Sequence, residues 1–395
     1  MASHDGAQTT DRHTDPDAIG EEHRTTGSAI VAFLRRVLLS DYFIFYLSIG
    51  YFIFLSLFLP NLADPRNISN QLSNVWPLLA VCVGQTFVMI VGGIDLSQGA
   101  IMGFVSVLGA SIMVTAVDQG LLGGSPLWGI LINERGGLLA GQGPALVVAI
   151  SVMLIIGGLI GCLNGIAVTR FRMPPFMVTL VALIFLSSAA IWLTQSQNLP
   201  NLPEDFQRLS TGDIVSFYFG EKLEPTIRRR DILPFITAPL VIAGVLAIVA
   251  EVILRRTVFG RHVYAVGTNR KAAEIAGVPV RRVVTLVFVF SGVCAAIAAI
   301  LYTGRLEGGR PTIGAGNALL DIIGATVIGG TSLAGGKGRV LWTFFGVVFF
   351  VLLLNTLNSL GLSAFHIDAV KGVIILLAAL LDVTRTRLLA RDRAR

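Results

Sequence analysis

The sequence predicts an all-α polytopic membrane protein of about ten transmembrane helices with both termini in the cytoplasm. Three observations predict it: the composition, a series of apolar runs of membrane-spanning length, and the placement of Lys and Arg between those runs. Of the 395 residues, 54% are hydrophobic and 14% charged, against roughly a quarter charged in soluble domains, and the mean hydropathy is +0.76. Lipid is therefore the expected solvent for most of the chain. Forty-three glycines would weaken soluble helices, but small residues let membrane helices bring their backbones together.

Residues 1–40 read as a disordered cytoplasmic tail with a basic entry segment. Residues 1–30 hold six acidic residues, two arginines and His4, His13 and His23, with too little apolar content to form a core. A solvated tail is preferred to a metal site for these histidines. No signal peptide is expected, because the first apolar run begins near Tyr42, after Arg35 and Arg36, and no small-residue cleavage pattern follows it. The transmembrane domain spans 41–385, and 386–395 form a basic cytoplasmic tail.

About 20 apolar residues cross a hydrocarbon core, and polar breaks divide the chain accordingly into ten segments. These lie near 42–60, 75–93, 98–117, 145–168, 176–194, 234–254, 283–303, 317–333, 339–360 and 364–383. Glycine clusters adjoin the third and eighth, which makes those two candidates for broken or re-entrant segments. Cys82, Cys162 and Cys294 all fall in apolar runs without C-x-x-C spacing and read as small core residues.

Orientation follows from charge. The stretch 255–282 carries Arg255, Arg256, Arg261, Arg270, Lys271, Arg281 and Arg282 against Glu274, and five arginines close the chain against Asp392. Both regions belong in the cytoplasm, where an even number of spans also places the N-terminus and the basic loops at Arg170 and Lys337. The loop 195–233 is then external despite Arg228, Arg229 and Arg230, since its acidic residues outnumber the basic ones. The net charge of +6 follows this membrane pattern, so no nucleic-acid partner is expected.

Polar residues inside apolar surroundings carry most of the remaining information. G-G-I-D-L-S-Q-G at 92–99 places Asp95 at the junction of two segments, beside Gly92, Gly93 and Ser97. A carboxylate at that depth is costly, and the structural reading has it capping the next helix through amides near Gln98 and Gly99. G-G-T-S-L-A-G-G at 329–336 is similar, matching at Gly92, Gly93, Leu96 and Gly99, as an internal duplication would. Asp368 and Lys371, three residues apart on the last segment, are expected to pair. A-G-G-K-G-R at 334–339 is not a P-loop, because Thr331 stands at its first glycine position and Gly338 replaces the magnesium-binding hydroxyl.

The sequence shows no catalytic, metal or cofactor motif, so the chain does not read as an enzyme. ATP-driven movement would have to enter from another subunit. The point of entry is predicted within 255–282, where Thr268 or Asn269 can cap a short helix running through Ala276. Gly277 ends that helix and Pro279 prevents continuation. Ala272, Ala273, Ile275 and Ala276 would then present small apolar contacts between Arg270, Lys271 and Glu274, a surface that seats in a groove of a partner.

This segment resembles the coupling region of the ribose and xylose type ABC sugar permeases, whose A-A-x-x-x-G contacts the ATPase. The resemblance covers residues 40–385. It includes 92–99, G-x-x-N-G at 161–165 with R-M-P-P-F at 172–176, L-P-E-D-F at 202–206, 319–338 and V-K-G-V-I-I-L-L-A at 370–378. The loop around 217–231 is longer and more charged than the family pattern.

The resemblance implies a bacterial inner-membrane importer of a monosaccharide. Its parts would be a second copy of the permease, an ATPase that binds ATP and magnesium, and a periplasmic or extracellular sugar-binding protein. Gly92, Gly93, Asp95, Ser97, Asn164, Asp321, Asp368 and Lys371 are the candidate structural or translocation-path residues. A secondary transporter or channel, and an ABC permease for branched-chain amino acids, are the alternative readings.

Overall fold

The structure, a computed structural model, describes residues 40, 42–218 and 232–393. Expectations for the histidines of the N-terminal tail, for Arg35 and Arg36, and for Arg228 to Arg230 fall outside those residues. Each of the ten predicted segments coincides with a helix: α1 (Phe43–Ser56), α2 (Pro65–Ile90), α3 (Gln98–Met113), α4 (Ala145–Arg170), α5 (Pro175–Thr194), α7 (Ala238–Arg256), α10 (Val280–Arg305), α11 (Ala318–Ile328), α12 (Val340–Ser359) and α13 (Ala364–Arg393). Further helices are α6 (Glu204–Thr211), α8 (Val258–Thr268) and α9 (Arg270–Ile275), with single short turns at Pro60–Ala63 and Gln119–Leu122.

Among the described residues, α2, α4, α5, α7, α10 and α12 are long and apolar enough to cross a membrane. The chain is thus a multi-pass membrane protein. At 1.5 Å per residue, α3 and α11 reach only roughly 24 and 17 Å, short of a hydrocarbon core of about 30 Å.

The loop expected over 195–233 is more regular than its composition indicated. Pro203 precedes α6, Glu204 and Asp205 occupy its positive end, and Arg208 pairs with Glu204 at 3.0 Å. After it, β3 (Asp213–Tyr218) and β4 (Ile232–Thr237) form an antiparallel pair. A smaller antiparallel pair, β1 (Ile132–Asn133) and β2 (Gly136–Gly137), lies between α3 and α4. The second predicted segment starts too late, because α2 begins at Pro65, where the Asp64 carboxylate accepts from the Arg66 amide at 2.8 Å. An apolar-run criterion misses that first part, R-N-I-S-N-Q-L-S-N, because it is polar.

The core is built on α2 and α10, whose buried residues outnumber those facing outward. Lipid supplies no hydrophobic drive between helices, so association depends on close packing and polar contacts. The packing of α4 on α10 is nearly backbone to backbone. A Cβ on Gly161 would lie 2.2 Å from the Phe288 carbonyl oxygen, and one on Gly157 would lie 2.6 Å from that of Gly292. Hydroxyl pairs join other helices, Thr86 to Thr343 at 2.7 Å and Ser106 to Thr303 at 2.6 Å.

All three cysteines are free. Cys82 and Cys294 are buried and Cys162 is half-buried, as the apolar runs predict.

The α4–α10 contact generates a test. Gly161→Val should force these helices apart at a cost of about 1–3 kcal/mol, read as a lower thermal midpoint and a reduced yield of folded protein in detergent. Gly244→Ala on α7, where a Cβ would meet nothing within 4 Å, should change neither. Equal midpoints for the two variants would show that the close approach is not what holds the pair together.

Candidate functional site

At the arginine-rich end of the bundle three segments converge. Helix α8 begins at Thr257, whose hydroxyl accepts from the Gly260 amide at 3.1 Å, and ends at Thr268, whose hydroxyl donates to the Tyr264 carbonyl at 2.9 Å. Asn269 then caps α9 by accepting from the Ala272 amide at 3.0 Å. Gly277, at φ +81°, closes α9 with a Schellman pair in which its amide and that of Val278 bond back to Glu274 and Ala273. Pro279 precedes α10. Arg270, Lys271, Ala272 and Glu274 surround the helix on its exposed side.

One expectation changes in detail. Ala273 is only 5% exposed and faces the chain's own core, whereas Ile275 is 81% exposed. Of the four expected apolar contacts, Ile275, Ala272 and Ala276 thus face outward and Ala273 alone does not.

The two glycine-rich loops meet each other beside α8. The amides of Gly92 and Gly93 bond to Met89 and Val88, and those of Gly330 and Thr331 bond to Val327 and Thr326. Both are Schellman closures with a glycine at positive φ, Gly92 at +78° and Gly330 at +96°. Structural equivalence thus pairs Gly92 with Gly330, one residue away from the sequence match of Gly92 with Gly329. The Gly336 amide donates to the Ile90 carbonyl at 2.8 Å, so the second loop seats on the end of α2. Tyr264 of α8 donates to the Gly338 carbonyl at 2.7 Å. Burial, then the Glu251 carboxylate, pushes the Tyr264 phenol upward, so it stays protonated and keeps that bond.

Asp95 is fully buried in the first loop but is not the helix cap that was expected. Ser97 occupies the N-cap position of α3 and makes no side-chain cap bond. Asp95 Oδ1 instead accepts from the Ser97 amide at 3.0 Å and the Ser97 hydroxyl at 2.6 Å, and Oδ2 accepts from the Ser291 hydroxyl of α10 at 2.7 Å. Asn164 of α4 donates to Ser97 Oγ at 3.0 Å, and Gln98 Nε2 donates to Ser291 Oγ at 2.8 Å. The carboxylate therefore ties the loop to α10 directly and to α4 through Ser97. Spacing within 92–99 could not reveal Ser291, which lies 196 residues further along.

Away from the arginine-rich end, Lys371 of α13 makes the expected contact with Asp368 at 3.5 Å and a shorter one with Asp321 of α11 at 2.9 Å. Asn317 donates to Asp368 in turn. Lys371 is 7% exposed, so an ammonium with one partner missing would be costly there.

Asp321 also lines a cavity of about 590 Å³ between α2, α10, α11 and α12. Asn70, Asn74, Asn355, Asn358 and Tyr302 supply its polar wall, with Leu78, Met102 and Val351 among the apolar lining. Asn70 Oδ1 accepts from Arg305 at 3.0 Å, Asn358 Nδ2 donates to Leu354 O at 2.8 Å, and the buried Asn355 Nδ2 has no partner among the described residues. Sequence reasoning missed these asparagines. The available signal was amides recurring every three or four residues within or beside apolar runs.

Residues 67–381 match the family described as branched-chain amino acid transport system / permease component. The chain is 34% identical over 332 residues to the ribose import permease protein RbsC of Bacillus subtilis (strain 168), a match covering 84% of this chain and 88% of that protein. It is 30% identical over 331 residues to the L-arabinose ABC transporter permease protein AraH of Azospirillum brasilense, covering 84% of each. To the xylose transport system permease protein XylH of Haemophilus influenzae it is 29% identical, covering 82% of this chain and 90% of that protein. No solved structure matches the chain.

Two tests follow from the buried polar groups. Asp95→Asn keeps an acceptor for Ser97 and a polar partner for Ser291, and should fold. Asp95→Leu strands one amide and two hydroxyls at roughly 1–3 kcal/mol each and should collapse the yield of inserted protein. Equal yields for both would remove the network from any structural role.

Lys371→Met leaves the half-buried Asp321 without its cation, at a cost of about 1–3 kcal/mol. Adding Asp321→Asn to that variant should recover most of the thermal midpoint. A double variant no more stable than the single would show the pair to be uncoupled.

Proposed function

Because the chain belongs to the family of branched-chain amino acid transport system permease components, we propose that it is the membrane-spanning subunit of an ATP-driven ABC importer that moves a monosaccharide by alternating access. The cavity carries this reading. Its asparagine amides offer paired donors and acceptors for hydroxyl groups, and its volume of about 590 Å³ lies within the roughly 300–1,000 Å³ common for small-molecule sites. A neutral polyol needs that lining, and the ion pair at its edge, Asp321 with Lys371, is internally neutralised.

Ten spans with both termini in the cytoplasm accommodate the basic segments. They place the arginine-rich junction of α8 and α9 inside and the cavity in the outer half, toward a sugar-binding protein. In this reading the bacterial inner membrane is the location, a second copy of the permease completes the channel, and the partner ATPase binds ATP and magnesium. The ATPase seats on α9. Movement of α9 passes through α8 to the Gly336–Ile90 contact, and from there along α2, which carries Asn70 and Asn74 at its other end. The sugar crosses without covalent change.

Deleting the gene in its own host should abolish uptake of one labelled sugar among ribose, arabinose, xylose, galactose and inositol, and leave leucine uptake intact. Complementation with Asn355→Leu should restore normal protein abundance with uptake lowered by up to about tenfold, the scale of one lost hydrogen bond. Ile275→Asp should leave the protein folded and ATPase activity no longer stimulated by sugar. Loss of leucine uptake with every sugar unaffected would replace the monosaccharide reading by the amino-acid one.

A further inference from the structure

The arginine-rich end holds a second pocket that sugar movement does not use. About 390 Å³ in volume, it lies between the last turn of α7, α8, and the loop that enters α12. Arg255, Arg261, Lys337 and Arg339 line it. The neighbouring carboxylate is Glu251, whose Oε2 accepts from the Val340 amide at 2.9 Å and whose Oε1 lies 3.8 Å from Arg255. Glu251 pairs with Arg255, and among the described residues no carboxylate pairs with Arg261 or Lys337, so the pocket keeps a net positive charge.

Trp342 forms part of its wall. The Arg339 guanidinium sits 4.6 Å from the Trp342 ring centroid, which holds a cation against the indole. Trp342 is 8% exposed, and its Nε1 is buried with no hydrogen-bond partner among the described residues. Tyr264, also in the wall, spends its proton on Gly338. The indole N–H is therefore an unused donor beside the clustered cations.

An apolar track leads away from this pocket. Val241, Val245, Ile248 and Val252 of α7 are 38–66% exposed and recur every three or four residues, so they share one helix face. Arg255 continues that face into the pocket. Clustered positive charge, an indole donor in the pocket wall and an exposed apolar stripe match a phospholipid's phosphate and acyl chains.

We propose that this pocket binds the phosphate headgroup of an anionic phospholipid, with the acyl chains lying along α7. The proposal rests on the membrane placement of α7 and α12 and not on the identity of any substrate. Free phosphate would use the same cations but would gain nothing from the apolar stripe.

The test uses the full chain purified in mild detergent and stripped of lipid, with native mass spectrometry as the readout. Phosphatidylglycerol should be retained, and phosphatidylcholine with the same acyl chains should not. Inorganic phosphate at the same concentration should fail to displace it. Arg261→Gln with Lys337→Gln should weaken retention by roughly 30-fold, given about one unit of surface attraction per cation. Those two substitutions leave the Arg255–Glu251 and Arg339–Trp342 contacts in place, and gel filtration reports whether the variant is folded.

If the double variant misfolds, Trp342→Phe, which deletes only the N–H, should still lower retention. Equal retention of both lipids, displacement by inorganic phosphate, or lipid retention that both variants leave unchanged would each overturn the proposal. Unchanged lipid retention combined with loss of ATPase co-purification would make the pocket a protein contact instead. Sugar uptake is not read, so a negative result leaves the transport reading standing.

Discussion

The structure depends on keeping one buried carboxylate satisfied where two membrane segments break. Lipid cannot solvate a polar group, so an irregular backbone at that depth persists only when its neighbours complete every bond. Asp95 does this for the 91–97 loop by accepting from Ser97 twice and from Ser291 of α10 once. With the loop fixed on α10, α3 starts at a defined place and Asn164 of α4 has a partner in Ser97. The glycine contact of α4 with α10 lets Asn164 reach that far.

That arrangement explains which parts of the molecule could be read from the sequence. Helix positions were legible because lipid enforces apolar runs, and the capped helix over 270–275 was legible because Asn269, Gly277 and Pro279 are local signals. What escaped was either polar or distant. The early start of α2 and the asparagines lining the cavity sit in segments too polar for a hydropathy criterion. Ser291 is joined to Asp95 only by folding, and Ala273 faces inward only because α9 lies against the bundle. Asp321 stood among the candidate residues, but its bond to Lys371 crosses 50 residues and no helical spacing reports it.

The resemblance between the two glycine-rich loops acquires physical content from their backbone. Each closes the preceding helix with the same pair of amide bonds and a glycine at positive φ, in a register shifted by one from the sequence match. After that turn they diverge. The first holds a carboxylate and starts α3 at Gln98, while the second runs through Gly335 and Gly336 to seat on Ile90. One loop is anchored inward on α10, and the other is anchored on the end of α2.

This division of labour connects the two ends of the bundle. The second loop reaches α2 through a backbone bond, Gly336 to Ile90, and reaches α8 through Tyr264, so α8 and α2 share a rigid contact. Rigid helices carry a displacement along their length, because packed interiors resist compression. A displacement of α8 at the arginine-rich end therefore travels up α2 from Ile90, past Pro77, toward Asn74 and Asn70, about four to six turns away. The opposite wall behaves differently. Asp321 and Lys371 hold α11 to α13 in a bond internal to that wall, so α2 can shift against α11 without breaking an ion pair. The cavity lies between a wall joined to α8 and a wall joined to itself, the arrangement that the proposed alternating access would require.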